Sequence, residues 1–119
     1  MALPNLKDPT TITGRTARYA VTDSLATALA APGTGKTFKI NSIFCANVAN
    51  PDATVDISVS IYDGSTDHYL AKTIAVPADA TQIISTKDTY FYLEEGDSIR
   101  AVANAASGVQ LVIGYEDIS

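Results

Sequence analysis

The sequence predicts an all-β fold, a single antiparallel β-sandwich or jelly roll of about eight strands, and three observations predict it. Residues 54–61 alternate strictly, with Val55, Ile57, Val59 and Ile61 on one parity and Thr54, Asp56, Ser58 and Ser60 on the other. A period of two is what a half-buried strand imposes. Turn residues punctuate the chain at intervals of roughly 8 to 12 residues, the spacing of strands in sandwiches and jelly rolls. Thr, Ser, Val, Ile and Tyr are plentiful and Trp is absent, a bias toward pleated surfaces rather than helices.

A chain of 119 residues has room for one ordinary domain. At that length folding buries about two thirds of the surface the unfolded chain exposes, so a core forms without staples. Hydrophobic residues make up 46% and charged residues only 18%, a globular balance, because disorder needs low hydrophobicity and high net charge. Cys45 is the single cysteine. It excludes an internal disulfide and a multi-cysteine metal site, and argues against a disulfide-dependent secreted scaffold. The net charge of -5 and pI near 4.5 repel phosphate backbones, and the few basic residues are scattered, so nucleic acid is not an expected partner. Residues 1–13 lack the basic and apolar regions of a signal peptide, and no stretch approaches the ~18 uninterrupted apolar residues of a membrane span. A protein made and kept soluble in a cytoplasm, without a membrane partner, is the expectation.

Taken in order, residues 1–14 carry Pro4, Asn5, Asp8 and Pro9 and show no period. They are expected to form an extended N-terminal arm, with the sandwich domain spanning 15–119. Leu3 and Leu6, with Pro4 between them, give the arm apolar teeth for lying on a neighbouring chain. Residues 23–31 tolerate a helix through their alanines and leucines, but the run is shorter than the ~12 to 15 residues an isolated helix needs, so it is read as strand or extended chain. Pro32, Gly33, Thr34 and Gly35 make a turn. The next strand, 36–48, changes phase: Phe38 and Ile40 sit on one parity, Ile43 and Cys45 on the other, and a β-bulge near Asn41 and Ser42 reconciles them. The alternating run ends at Tyr62, Asp63 and Gly64, and an Asp-Gly pair between two β runs predicts a hairpin with 69–76. Glu94, Glu95, Gly96 and Asp97 form an acidic turn that launches a strand over 98–104. The last run places Val109, Leu111, Ile113 and Tyr115 inward and Gln110, Val112, Gly114 and Glu116 outward, Val112 being the one apolar residue on its wet face.

Four features invite a chemical reading. The stretch 31–37, APGTGKT, ends like a phosphate-binding loop, but Ala30 stands where the first glycine is required, and a β-rich run follows where a helix must begin. His68 is the only histidine, set beside Asp67 and Tyr69 near a hairpin tip, and reads as an exposed loop residue rather than a catalytic base. Cys45 lies in an apolar run without nearby positive charge and reads as a small hydrophobe. Glu94, Glu95 and Asp97 match no calcium-loop spacing and read as a solvated turn. No catalytic residue, cofactor or metal is expected, and the chain is read as not an enzyme. Tyr62, Tyr69, Tyr90, Tyr92 and Tyr115 are the amphipathic residues used at interfaces and in sugar sites, though a sugar site without tryptophan lacks its commonest stacking platform.

One arrangement of these features is distinctive. Pro32, Gly33, Gly35 and Lys36 precede a strand with Asn47, followed by Asp63 and Gly64, then Tyr69, Leu70 and Ala71, then 74–78 with Pro77. After these come Leu93, Glu94, Glu95, Gly96, Asp97, Ser98 and Ile99, and a closing strand ending in Gly114, Tyr115 and Glu116. Over residues 15–119 this resembles small β-sandwich virion proteins of tailed bacteriophages and prophages, including those of marine and cyanobacterial phages. The resemblance implies a structural part of a virus particle assembled in a host bacterial cytoplasm: a capsid decoration (cement) protein, or a neck, tail or fibre component. The major capsid protein or other virion proteins, and further copies of the chain, are the implied partners. Leu3, Pro4, Leu6, Tyr62 and Tyr69 are the candidate partner-binding residues. A host-surface or carbohydrate-binding module is the competing function from a different class.

Overall fold

The computed structural model describes residues 9–48, 54–104 and 108–119. Among them the chain forms nine strands: β1 (Ile12–Val21), β2 (Ala26–Leu29), β3 (Thr37–Asn47), β4 (Val55–Tyr62), β5 (Asp67–Val76), β6 (Thr81–Ser85), β7 (Phe91–Leu93), β8 (Ser98–Ala103) and β9 (Val109–Ile118). A single 3₁₀ turn, Lys87–Thr89, joins β6 to β7. Every pairing is antiparallel.

The strands divide into two sheets. Sheet A has the order β1-β9-β3-β6, with β7 also against β3, and sheet B the order β2-β8-β4-β5. Without β7, these are the two four-stranded sheets of a jelly roll, in which the chain passes back and forth between layers as interlocked Greek keys. Side chains of alternate residues from both sheets fill the space between them: Ile40, Ile43, Leu111 and Ile113 from sheet A, and Ile57, Val59, Ile99 and Ala101 from sheet B, are all at most 1% exposed. Burying an aliphatic side chain of this size is worth about 1.5 to 3 kcal/mol, so the alternation in the sequence is the main determinant of which face turns inward.

The phase change in β3 is a bulge. Ile40 opposes Tyr115 and Ser42 opposes Gly114, consecutive residues of β9, so Asn41 is the extra residue. Phe38 and Ile40 before it, and Ile43 and Cys45 after it, are all in the core. Residues 23–31 contain β2 rather than a helix. The hairpin of β4 and β5 closes through Asp63, whose Oδ1 accepts the backbone N–H of Ser65 at 2.9 Å and of Thr66 at 2.7 Å, while Gly64 takes φ 95. An aspartate that caps its own turn followed by a residue free to adopt positive φ is why the Asp-Gly pair marks this corner.

The nine strands among the described residues agree with the expected sandwich of about eight; β6 and β7, of five and three residues, are too short to show a period. Two assignments differ from expectation. β1 begins at Ile12, so Ile12, Thr13 and Gly14, assigned to the arm, pair with Ile118, Asp117 and Glu116. The first five residues of β1, 12–16, are exposed on both faces and show no alternation, which hid this start. His68 is the second residue of β5 rather than part of the loop, though it is exposed as expected.

Candidate interaction surfaces

The phosphate-loop resemblance dissolves in the fold. Gly33 O accepts the N–H of Lys36 at 3.1 Å, Gly35 takes φ 74, and the chain enters β3 directly. The Gly35 N–H, the kind of donor a phosphate would need, is given to Glu95 Oε1 at 3.0 Å. This bond clips the turn to the acidic turn before β8, where Asp97 N–H bonds Glu94 O at 2.9 Å. Cys45 is fully buried on β3, and burial pushes its thiol up to about 12, where it is inert as a nucleophile. His68 Nε2 lies 3.2 Å from Asp63 Oδ2. The Asp63 carboxyl is held below its usual range by the Thr66 and Ser65 N–H groups first and by His68 after them. This pair fastens a hairpin. No group of three or more metal-ligating side chains occurs among the described residues.

What the fold does present is two broad outer sheet faces. On sheet A, Ile83, Phe44, Val112 and Arg18 lie side by side across β6, β3, β9 and β1. Ile83 is 51% exposed and Phe44 and Val112 37% each. Val112 was legible as the apolar residue on a wet face. Phe44 was not, because Ile43 and Cys45 on either side make the run read as buried on both faces. A second row holds Tyr92, Lys39, Glu116 and Gly14. Tyr90 meets Tyr92 edge to face at 5.9 Å, and Lys39 Nζ stands 4.4 Å above the Tyr90 ring. Between the rows lie the small residues Ser42, Gly114 and Thr16, with the bulge residue Asn41 beside Ser42 on β3.

The outer face of sheet B is polar and already knitted. Arg100 Nε lies 3.5 Å from Asp67 Oδ1, its guanidinium stacks 4.2 Å from the Tyr62 ring, and Ser60 Oγ donates to Asp67 Oδ1 at 2.9 Å. Ser60, expected to be wet, has no exposed surface, because Arg100 and Tyr69 flank it on the two neighbouring strands. Of the candidate partner-binding residues, Tyr62 and Tyr69 share this face on adjacent strands. Tyr62 is engaged by Arg100, whereas Tyr69 is 45% exposed with Lys72 Nζ 5.0 Å from its ring. Leu3, Pro4 and Leu6 lie outside the described residues. Two open depressions, of about 280 Å³ beside Arg18 and Val112 and about 210 Å³ beside Ser58 and Thr73, fall below the ~300 Å³ at which small-molecule pockets begin. Flat faces with an apolar row suit another protein surface better than a small ligand.

No family model matches the chain, and no curated protein matches it. Solved structures do. A chain from the acid-stable capsid of Helicobacter pylori bacteriophage KHP30 is similar over 94% of this chain and 90% of its own length, with a TM-score of 0.58 and 15% identity. A pentameric capsid protein isolated from metagenomic phage sequences is similar in two crystal structures, with TM-scores of 0.39 and 0.41 and identities of 20% and 18%. Each covers 85% of this chain, which spans 59% and 63% of theirs. The jelly roll built by these two sheets is thus a fold found in a bacteriophage capsid, the class of protein the sequence resembles.

Proposed function

We propose that this chain is a structural protein of a bacteriophage virion, a decoration (cement) protein that binds the capsid lattice together with further copies of itself and has no catalytic role. The observation that carries the proposal is the likeness of nearly the whole chain to a capsid chain of similar length. The outer face of sheet A supports it, because the row of Ile83, Phe44 and Val112, rimmed by Arg18, Lys39 and Glu116, offers apolar area within a charged border, the composition of a protein-binding patch. Repetition over a lattice supplies avidity even where each contact is weak. The major capsid protein is the proposed partner, and the virion, assembled in the host bacterial cytoplasm, the proposed location.

Residues 1–9, ahead of the bonds that tie Thr10 and Thr11 to Ser119, act in this proposal as a docking arm. Pro4 and Pro9 remove backbone donors, and Leu3 and Leu6 supply apolar area to bury on a neighbour. Deleting residues 2–8 is expected to leave the melting temperature of the isolated protein unchanged and to lower its occupancy on particles sharply. Failure to fold, or undiminished attachment, would remove the arm from the proposal. Copy number in purified particles tests the role itself. Hundreds per particle support a lattice protein, whereas about six or twelve indicate a neck or tail component, on the symmetry of such assemblies.

A further inference from the structure

Shortness and bulging blunt the edge of a sheet against pairing with another chain, and most edges of this sandwich are blunted. β2 has four residues and a break of register against β8, and β6 and β7 have five and three residues. β5 is longer, but its pairing with β4 breaks twice and Thr73 sits at φ 52. β1 has neither device. Its ten residues pair with β9 in one unbroken register, from Ile12 opposite Ile118 to Val21 opposite Val109.

The hydrogen bonds at the start of β1 show which groups it leaves open. Thr11 N–H donates to Ser119 O at 3.2 Å and Ser119 N–H to Thr11 O at 2.9 Å, so these two residues form a hydrogen-bonded pair of the antiparallel ladder. Such pairs alternate with non-bonded ones. Carried along the register, the alternation bonds Thr13, Arg15, Ala17, Tyr19 and Val21 to β9. β9 agrees from its other side, where Val48 N–H donates to Gly108 O at 2.6 Å, so that residues of that parity serve β3. Ile12, Gly14, Thr16, Arg18 and Ala20 therefore turn their N–H and C=O groups away from the sheet, in an open row centred on Thr16.

We infer that β1 pairs antiparallel with β1 of a second copy across a two-fold axis at Thr16. In that register Thr16 opposes itself, Gly14 opposes Arg18, and Ile12 opposes Ala20, so every open residue exchanges two bonds with an open residue of the other copy. The alternatives that keep the bonds in phase are poorer. An axis at Arg15 or at Arg18 sets two like charges face to face, which is destabilising, and an axis at Ala17 leaves Ile12 without an opposite number in the strand. With the axis at Thr16, Arg18 lies over a glycine and Arg15 opposes Ala17. Ile12, 55% exposed in the single chain, gains a cover. The contact is isologous and closes on itself, joining two copies of sheet A into one continuous sheet. It identifies the contact behind the self-association proposed above and does not depend on the virion reading.

Sedimentation equilibrium of the full chain is expected to show a dimer. Thr16→Pro removes an N–H that points away from β9, so it is expected to give a monomer with an unchanged far-ultraviolet circular dichroism spectrum. Cross-linking decides independently if that variant misfolds. Opposed residues of a bonded pair stand about 5.5 Å apart, inside the ~4.4 to 6.8 Å span of a disulfide. Oxidised Thr16→Cys is therefore expected to run as a covalent dimer and Arg18→Cys, facing Gly14, as a monomer, with buried Cys45 silent in both. A monomeric wild type at all soluble concentrations, or equal cross-linking at both positions, would overturn the inference. Loss of the dimer with particle binding retained by Thr16→Pro would show that the virion role stands without it.

Discussion

Three neighbouring residues of β4, Ile57, Ser58 and Ser60, separate what alternation dictates from what the fold adds. Ile57 is 1% exposed and belongs to the central core. Ile57→Ala removes buried methyl and methylene groups and leaves a cavity, at an expected cost of about 2 to 5 kcal/mol. Alternation alone makes Ser58 and Ser60 equivalent, both outward, with losses under about 0.5 kcal/mol on truncation. Their partners make them different. Ser58 Oγ accepts the N–H of Thr73 at 2.9 Å, where φ is positive, so Ser58→Ala is expected to cost about 1 kcal/mol. Ser60 Oγ is buried and donates to the Asp67 carboxylate. Losing a hydrogen bond to a charged acceptor there costs about 1.5 to 3 kcal/mol. Urea denaturation, with unchanged m-values confirming that the transition is comparable, ranks the variants. The expected order of loss is Ile57→Ala, then Ser60→Ala, then Ser58→Ala. Equal and small losses at Ile57 and Ser58 would refute the half-buried strand, and a Ser60→Ala variant as stable as wild type would refute the network on sheet B.

Deleting Asn41 is expected to leave a folded protein with a loss under about 2 kcal/mol, because Ile40 and Ser42 already face consecutive residues of β9 and the buried, unpartnered Asn41 Oδ1 is removed with it. Deleting Ser58 flips part of β4 to the wrong face and is expected to abolish folding, as circular dichroism would show. For Cys45, a folded-state pKa of about 12 against an ordinary 9.0 means that folding favours the protonated thiol. The corresponding stability is full below pH 9.0 and is lost as pH rises toward 12, and Cys45→Ala is expected to flatten that part of the urea-midpoint profile relative to wild type. The native thiol is also expected to resist alkylation until urea unfolds the chain. At Asp63, whose carboxyl is lowered, stability is present above the ordinary carboxylate pKa and is lost as pH falls. Asp63→Ala is expected to lower the melting temperature at neutral pH and to weaken its acid dependence.

The core and the bulge were legible because both express burial through parity. A strand that changes parity mid-run while staying apolar requires an extra residue, and Asn41 is that residue. The Asp-Gly corner was legible because its chemistry is local. What escaped the sequence depends on residues far apart along the chain. Ser60 is buried by Arg100 and by Tyr69, which the irregular edge of β5 brings beside it. β1 pairs with β9 from far along the chain, and its first five residues, exposed on both faces, carry no period. The candidate surface divides in the same way: Val112 stands out on an alternating strand, whereas Phe44 is masked by its neighbours and appears only once β3 has β6 and β9 on its two sides.

A cryo-electron microscopy reconstruction of the assembled particle, with the chain present and deleted, tests the proposed role most directly. A decoration protein predicts jelly-roll density repeated at equivalent sites over the shell, lost on deletion, with the outer face of sheet A against the lattice. Density confined to the neck or tail, or an identical map after deletion, would contradict it.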